Sequence, residues 1–185
     1  IQDSSMRRFP ITDWTADEFN HMWLSLSGLG GAEANPRTSW MSLLTFGPYV
    51  TTVRSMAWDG DHMWIGGYNQ SGRGGGISRW NLETDEWDTH EAELLTGLYS
   101  DRIFTIAAGE RYVWFGTDRG LTRFDKKEDT WRTYTTRDNL WHNQITNVIL
   151  QSDVLWIGTR EGINILKIPG MVLERVEDRR LTNRR

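Results

Sequence analysis

The 185-residue sequence contains no cysteine, which excludes disulfides, zinc–thiolate sites and thiol nucleophiles. It has only four prolines and four histidines. No run of eighteen or more apolar residues occurs, so no segment has the length and apolarity of a membrane-spanning helix. The net charge of −4 gives no overall attraction to nucleic acid or to an anionic membrane surface.

Patterns typical of catalytic or metal sites are also missing. The four histidines (His21, His62, His90 and His142) are scattered, and none lies four residues from another, as paired ligands on a helix would. No Gly-x-Ser-x-Gly nucleophile elbow is present. The glycine-rich stretch at 71–76 lacks the Gly-Lys-Ser/Thr ending of a phosphate loop. We therefore predict no catalytic residue, no metal site and no cofactor, and expect that the protein is not an enzyme.

Tryptophan, in contrast, is abundant, with eleven residues, and much of it belongs to a repeated motif. The copies are Trp64-Ile65-Gly66-Gly67, Trp114-Phe115-Gly116-Thr117 and Trp156-Ile157-Gly158-Thr159, with a degraded copy at Trp23-Leu24-Ser25-Leu26. The repeat period is therefore about 40–50 residues, which is typical of a β-propeller. We interpret Trp23, Trp64, Trp114, Trp156, Gly66, Gly116 and Gly158 as structural residues of this repeat.

Each repeat reads as four short strands separated by turn residues such as Asp59-Gly60-Asp61. The sequence therefore predicts an all-β protein, a β-propeller of about four four-stranded antiparallel blades. The predicted division is an N-terminal extension or extra strand at 1–10, a degenerate first blade at 11–50, blades at 51–100, 101–142 and 143–176, and a basic tail at 177–185. We expect the tail to be solvated, with docking onto an acidic partner as the alternative.

The tryptophans are expected to pack between blades, where wedge-shaped gaps favour large flat side chains. Trp40 follows Trp23 by seventeen residues, as Trp131 follows Trp114, so Trp40 is predicted to occupy the same slot as Trp131 on the fourth strand. Trp87 is placed in that slot in the second repeat. An aromatic ligand box is the competing interpretation, but repetition at the blade period favours packing.

Four repeats leave open whether the ring closes. Arg7-Arg8-Phe9 resembles the fourth strand of a preceding blade, and 171–176 supplies a fourth strand for the last repeat, which leaves one strand in excess. The chain is therefore either part of a longer or processed protein, closing incompletely or against a partner, or a closed four-bladed ring. Blades without closure expose strand edges.

Two segments carry a family resemblance. Residues 114–125 (WFGTDRGLTRFD) and 131–140 (WRTYTTRDNL) resemble the two-component regulator propeller repeat, and the likeness extends over about 50–170. The resemblance implies a bladed propeller of the kind used as an extracytoplasmic sensor region of hybrid histidine kinases, although stand-alone copies also occur. No kinase, receiver or DNA-binding segment is found in this sequence.

One repeated feature is not explained by packing. An aromatic residue stands four residues before each first strand (Tyr49, Tyr99 and Trp141), and an arginine stands between the second and third strands (Arg73, Arg119 and Arg160). Both positions are expected on one rim of the propeller. Aromatic residues and arginine dominate protein-binding hot spots, and they also suit stacking on sugars. The six residues are our candidate ligand- or partner-binding site, with local loop packing as the alternative.

The sequence thus predicts a non-enzymatic extracytoplasmic β-propeller that acts as a protein-binding scaffold or accessory subunit of a larger, possibly membrane-associated complex. A ligand-sensing module that binds a glycan or small molecule is the first alternative, and a propeller glycosidase or lyase is the second. A protein partner, with no nucleic acid and no membrane span of its own, and a periplasmic or extracellular location after removal of a leader, complete the prediction.

Overall fold

A computed structural model describes residues 10–19, 21–26, 30–43, 50, 52–69, 76–168 and 170–176. These residues form sixteen strands in four four-stranded antiparallel sheets, together with one short 3-10 turn at Thr136–Asp138. The predicted all-β propeller architecture is confirmed. The predicted extension at 1–10, apart from Pro10, and the basic tail at 177–185 lie outside the described residues.

Each sheet is one blade, and its strands are numbered in chain order. The first blade contains β1 (Ile11–Ala16), β2 (Met22–Leu26), β3 (Gly30–Asn35) and β4 (Trp40–Leu43). The second contains β5 (Thr52–Trp58), β6 (His62–Tyr68), β7 (Ile77–Asn81) and β8 (Trp87–His90). The third contains β9 (Ile103–Ala108), β10 (Tyr112–Thr117), β11 (Leu121–Asp125) and β12 (Thr130–Tyr134). The fourth contains β13 (Ile145–Gln151), β14 (Val154–Thr159), β15 (Ile163–Lys167) and β16 (Val172–Arg175).

The blades are arranged in an open arc. Within each blade the strands are hydrogen-bonded in chain order. The first strands of successive blades pack together, β1 with β5, β5 with β9 and β9 with β13, and they form the inner edge of the arc. In the described part of the chain, β1 and β13 do not pack as such a pair. The structure therefore favours incomplete closure over a four-bladed ring.

Local turn chemistry explains why the hairpins form where they do. The last residue of β7, Asn81, accepts hydrogen bonds through Oδ1 from the backbone N–H groups of Glu83 and Thr84. Asn35 and Asp125 close the equivalent turns of the first and third blades in the same way. Side chains of this kind mimic a backbone turn and stabilise it locally. The turn residues between the repeats' apolar strands thus fix the register of strands three and four.

The hydrophobic core lies between blades. Trp23 of the first blade packs in a cluster with Val53, Met56 and Ile65 of the second. Trp64 contacts Phe115 of the third blade, with ring centroids 5.6 Å apart and the rings edge to face. Each motif tryptophan of the first three blades therefore faces the following blade, where it is buried.

The motif tryptophan of the fourth blade is an exception to the predicted packing. Trp156 is 40% exposed, whereas Trp114, at the same position of the third blade, is fully buried. Trp114 is covered by the fourth blade, including Leu155 and Ile157. No fifth blade stands in the described chain to cover Trp156, so the expectation of inter-blade burial fails at this residue.

The predicted position of Trp40 is wrong by one residue. Trp131 pairs with Phe124, and the corresponding pair in the first blade is Met41 with Ala34. The connection between the second and third strands is one residue longer in the first blade, so counting along the chain places Trp40 incorrectly. Because successive side chains of a strand point to opposite faces, Trp40 lies on the other face of the sheet from the Trp131 position. It is exposed.

Candidate functional site

The inner edge of the arc carries a polar side chain at the same position of every first strand: Asp13, Ser55, Thr105 and Asn147. Each of the first three accepts a hydrogen bond from a backbone N–H of the next blade. The donors are Met56 N to Asp13 Oδ2 (3.3 Å), Ile106 N to Ser55 Oγ (2.9 Å) and Val148 N to Thr105 Oγ1 (3.3 Å).

The sequence patterns did not predict these inter-blade bonds. A positional signal exists, because Ser55, Thr105 and Asn147 each stand nine residues before the motif tryptophan of their own blade. The side chains are also linked to one another, because Ser55 donates to Asp13 Oδ2 at 2.7 Å. They join neighbouring blades at the inner edge, so their role is structural.

A cavity of about 340 Å³ opens between the four inner strands. Most of its lining residues have apolar side chains, Trp14, Met56, Ile106 and Val148 among them, but the lining surface that is exposed is mainly polar. Asp13 is the single carboxylate among its lining residues, and that carboxylate accepts hydrogen bonds from the second blade. Glycosidases of the two-carboxylate type need a pair roughly 5–10 Å apart, and the cavity lining does not supply one.

On the rim, the structure brings Tyr99 and Arg119 together. Tyr99 is 54% exposed, and Arg119 Nη1 donates a hydrogen bond to its backbone oxygen at 3.4 Å. Behind them, the Ser100 hydroxyl is hydrogen-bonded to the carboxylate of Asp118, which also lies 3.9 Å from Arg102. This part of the rim offers an exposed tyrosine whose backbone oxygen contacts the Arg119 guanidinium, while the Arg102 guanidinium lies over the ring of Tyr68, 5.4 Å from its centroid.

Trp141 is placed differently. Its ring is half-buried, lies against Gly162 and is covered by the guanidinium of Arg175, whose Cζ is 4.5 Å from the ring centroid. The Trp141 backbone N–H donates to Asn164 Oδ1 at 3.0 Å. Arg160 is exposed, and its backbone N–H donates to Gln144 O. Trp141 is thus held by local packing, and no contact brings it to the Tyr99–Arg119 pair.

The remaining two members of the predicted rim site, Tyr49 and Arg73, lie outside the described residues. Their role in binding stays a prediction.

A cluster in the second blade has the residue types of a metal site. Asp59, Asp61 and His62 lie close enough to hold an ion. However, Asp59 Oδ1 accepts hydrogen bonds from the backbone N–H groups of Asp61 and His62, and Oδ2 accepts from Trp64 Nε1 at 2.7 Å and lies 3.3 Å from Lys126 Nζ. Burial opposes the charge of Asp59, but these donors and the Lys126 ammonium together hold its pKa below the usual value. The carboxylate is therefore occupied in closing the turn.

One face of the fourth blade is an apolar surface that no described element covers. It contains Ile149, Trp156, Ile163 and Val176, all at least 40% exposed. At the same positions of the third blade, Ala107, Trp114, Leu121 and Tyr134 are buried by the next blade. The fourth blade thus presents an inter-blade surface to solvent.

No protein-family model and no curated protein matches the sequence. In structure the chain is similar to the extracellular domain of a candidate hybrid two-component system, BT3049, from B. thetaiotaomicron, with a TM-score of 0.73 and 15% identity over 96% of this chain and 26% of that one. It is also similar to the extracellular domain of a candidate one-component system, BT4673, from the same organism, with a TM-score of 0.75 and 17% identity over 95% of this chain and 23% of that one. A third neighbour is U3-55K, with a TM-score of 0.63 and 12% identity over 90% of this chain and 51% of that one.

This chain spans about a quarter of the length of the two bacterial domains and about half of U3-55K. At these identities the structural similarity establishes the fold, and function depends on the particular residues of the site. Among the described residues, no helix is both long and apolar enough to cross a membrane. The chain is an arc of four β-propeller blades whose repeats resemble the two-component regulator propeller repeat and whose structure is similar to extracellular domains of signalling systems.

Proposed function

We propose that this chain is a non-enzymatic, protein-binding propeller module that works outside the cytoplasm and docks another propeller blade on the free face of its fourth blade. The single observation that carries the proposal is the apolar face formed by Ile149, Trp156, Ile163 and Val176. Tryptophan is enriched among residues that dominate binding energy. The extracytoplasmic location is supported by the two neighbours that are extracellular domains.

The chemistry of the partner follows from the repeat. The equivalent face of the third blade is covered by apolar side chains of the next blade's first two strands, among them Val148, Leu155 and Ile157. A partner for the fourth blade therefore needs a twisted sheet face with the same apolar character. A second copy of the chain is the simplest carrier of such a face, and a head-to-tail contact of this type is heterologous.

The test is sedimentation velocity over a concentration series of the wild-type chain and the double variant Trp156→Glu/Ile163→Glu. The wild type is expected to associate in a concentration-dependent way, and the double variant to stay monomeric, because two carboxylates would be desolvated in the interface. Leu94→Glu is the matched control, since Leu94 is 77% exposed and lies between β8 and β9, away from the fourth blade. A monomeric wild type at high concentration, or association unaffected by the double variant, would contradict the proposal.

A second candidate function is glycan sensing at the rim. It is favoured by the exposed Tyr99, whose backbone oxygen Arg119 contacts, and by the two bacterial neighbours, which are extracellular domains of two-component and one-component systems. Binding to a glycan array is expected to be lost in Tyr99→Ala and kept in the Trp156→Glu/Ile163→Glu variant. Equal glycan binding by the wild type and Tyr99→Ala would contradict a glycan site at the rim.

A further inference from the structure

The turn after the first strand differs between blades in its acceptor for the motif tryptophan. In the first blade, Trp23 Nε1 donates a hydrogen bond to Asp17 Oδ2 at 3.1 Å. In the second, Trp64 Nε1 donates to Asp59 Oδ2 at 2.7 Å. The same turn position in the third blade is Gly109, which has no side chain to accept a bond.

The backbone of the turn is nevertheless the same. Gly109 N donates to Tyr112 O at 2.9 Å, as Asp59 N donates to His62 O at 3.2 Å. The Nε1 atom of Trp114 is fully buried and has no hydrogen-bond partner. A buried indole N–H normally finds an acceptor, because leaving it unpaired costs free energy.

Trp114 also lines a cavity of about 390 Å³ between the third and fourth blades. This volume lies within the range of small-molecule sites. The less exposed part of its lining is apolar and includes Leu150, Ile168 and the ring of Tyr112, and its mouth is polar, with Arg111, Ser152 and Asp153. Trp114 thus lines the cavity and also carries the unpaired donor, but Nε1 itself is covered by surrounding atoms, and Leu150 Cδ2 lies 2.7 Å from where a Cβ on Gly109 would stand.

We propose that this inter-blade cavity binds a small aliphatic carboxylate, whose oxygens take the position that the Asp59 carboxylate has in the second blade. One oxygen accepts from Trp114 Nε1. The other accepts from the backbone N–H groups of Arg111 and Tyr112, which correspond to the two amides that donate to Asp59 Oδ1. The alkyl part lies against Leu150 and Ile168.

The acidic residues at the mouth do not exclude an anion here. In the second blade the Asp59 carboxylate lies beside Asp61, and burial opposes its charge, yet the hydrogen-bond donors and the Lys126 ammonium together hold its pKa below the usual value. In the third blade the Trp114 indole and the backbone amides of Arg111 and Tyr112 are the corresponding donors, whereas Ile168 stands where the second blade's Asp59 has Lys126 beside it. Arg111 adds a cation, which is held to Asp125 at 2.9 Å.

The experiment is a titration of the ¹⁵N-labelled chain with sodium acetate at constant ionic strength, with sodium chloride as the reference, followed through the indole N–H resonances. The Trp114 resonance is assigned by its loss in Trp114→Phe or, if that variant does not fold, by its NOE to the Leu150 methyl groups. It is expected to shift in a saturable way, with half-saturation on the order of 1–10 mM because acetate has few atoms to contribute. The Trp64 resonance, already bonded to Asp59, is the internal control and should not move. Butyrate should half-saturate at a several-fold lower concentration, because its extra methylene groups become buried.

Two variants make the test decisive. Gly109→Asp supplies the carboxylate from the chain itself and is expected to abolish the response; the added side chain has to displace only the end of Leu150, which is flexible. Asp59→Gly is expected to create a saturable acetate response at Trp64. The proposal is overturned if Trp114 shows no saturable shift up to 100 mM acetate, if the shift persists in folded Gly109→Asp, or if butyrate binds no better than acetate. None of these outcomes depends on the docking face of the fourth blade.

Discussion

The glycine of the repeated Trp-x-Gly motif is required by the neighbouring blade rather than by its own backbone conformation. A Cβ on Gly66 would lie 2.5 Å from Ile103 Cγ2 of the next blade, and one on Gly116 would lie 2.4 Å from Thr105 Cγ2 of its own blade and 2.7 Å from Ile145 Cγ2 of the next. Both isoleucines begin the first strand of the next blade. The motif glycine thus makes room for the side chain that enters from the adjacent sheet.

This gives a prediction at the residue scale. Gly66→Ala should lower the free energy of unfolding by about 1–3 kcal/mol, because the methyl group overpacks the contact with Ile103. Gly158→Ala is the matched control, since the nearest atom to its added Cβ is Thr146 Oγ1 at 3.0 Å and the described residues near it all belong to its own blade. Urea denaturation of both variants measures the difference. Equal losses in the two would show that the neighbouring blade is not the cause.

The pH dependence of Asp59 is a second prediction at this scale. Its pKa is lower in the folded protein than its ordinary value of 3.8, so the unfolded state binds more protons as the pH falls. The stability that the charged form contributes is therefore complete above about pH 4 and is lost as the pH falls towards the folded pKa. Asp59→Asn should unfold more easily than the wild type at pH 6, by about 1–2 kcal/mol. The difference in unfolding free energy between the wild type and Asp59→Asn should shrink below pH 3.8. A difference that stays constant down to pH 2 would contradict the prediction.

At the scale of the element, the blades are equivalent in topology but not in burial. The second and third blades are covered on both faces, whereas the fourth has one free face. The same motif tryptophan is therefore a core residue at Trp114 and a surface residue at Trp156. Position in the arc, rather than residue type, decides which role it has.

Replacing Trp114 and Trp156 by alanine, one at a time, measures how much each side chain contributes to stability. Trp114→Ala should cost about 3–5 kcal/mol of unfolding free energy, as large-to-small changes in a core do. Trp156→Ala should cost much less in the monomer, because its side chain is already 40% exposed. The comparison requires dilute protein, so that association through the fourth blade does not add to the second value. Similar costs would imply that the fourth blade's face is covered.

At the scale of the whole molecule, the extensive contacts between described strands of different blades all join neighbouring blades, as in other repeat proteins. The free energy of unfolding is then approximately the sum of the stabilities of the single blades and of the interfaces between neighbouring blades. The inner-edge hydrogen bonds through Asp13, Ser55 and Thr105 are part of each interface. Asn147 occupies the same position in the fourth blade, and no further blade lies among the described residues.

Hydrogen exchange tests this arrangement. The amides of β10, in the third blade, are expected to exchange more slowly than those of β14, in the fourth, because the fourth blade is flanked on one side only. The expected ratio of protection factors is about tenfold or more, which corresponds to one missing interface worth at least 1.4 kcal/mol. Uniform protection across both strands would indicate that the four blades open as one unit.

Much of the fold was predictable because its signal is periodic. The spacing of Trp64, Trp114 and Trp156 predicted about four blades and placed each motif tryptophan on the second strand of its blade. Counting residues from the motif tryptophan placed Trp40 on the wrong face of its sheet, because the connection between the second and third strands is one residue longer in the first blade. The recurring polar position at the inner edge was not predicted, because its residues share hydrogen-bonding capacity but not residue type. They are Asp13, Ser55, Thr105 and Asn147.

The candidate site was less predictable than the fold. The sequence placed Tyr99, Arg119 and Trp141 on one rim by their position in the repeat, yet the structure joins Tyr99 to Arg119 and packs Trp141 beneath Arg175. Loop side chains choose partners by distances that the repeat period does not encode. The replacement of an aspartate by Gly109 was visible in the sequence, but its consequence for Trp114 required the geometry of the turn.

The sequence by itself determined the all-β class, the blade period and the absence of thiol chemistry, because these depend on local patterns and on composition. Only the tertiary structure decided that the blades form an open arc, that Trp156 faces solvent and that Trp114 has an unpaired donor in a cavity. Those properties depend on what stands on the far side of each sheet. An alternating strand pattern marks a face as apolar, but burial depends on whether another blade packs against it.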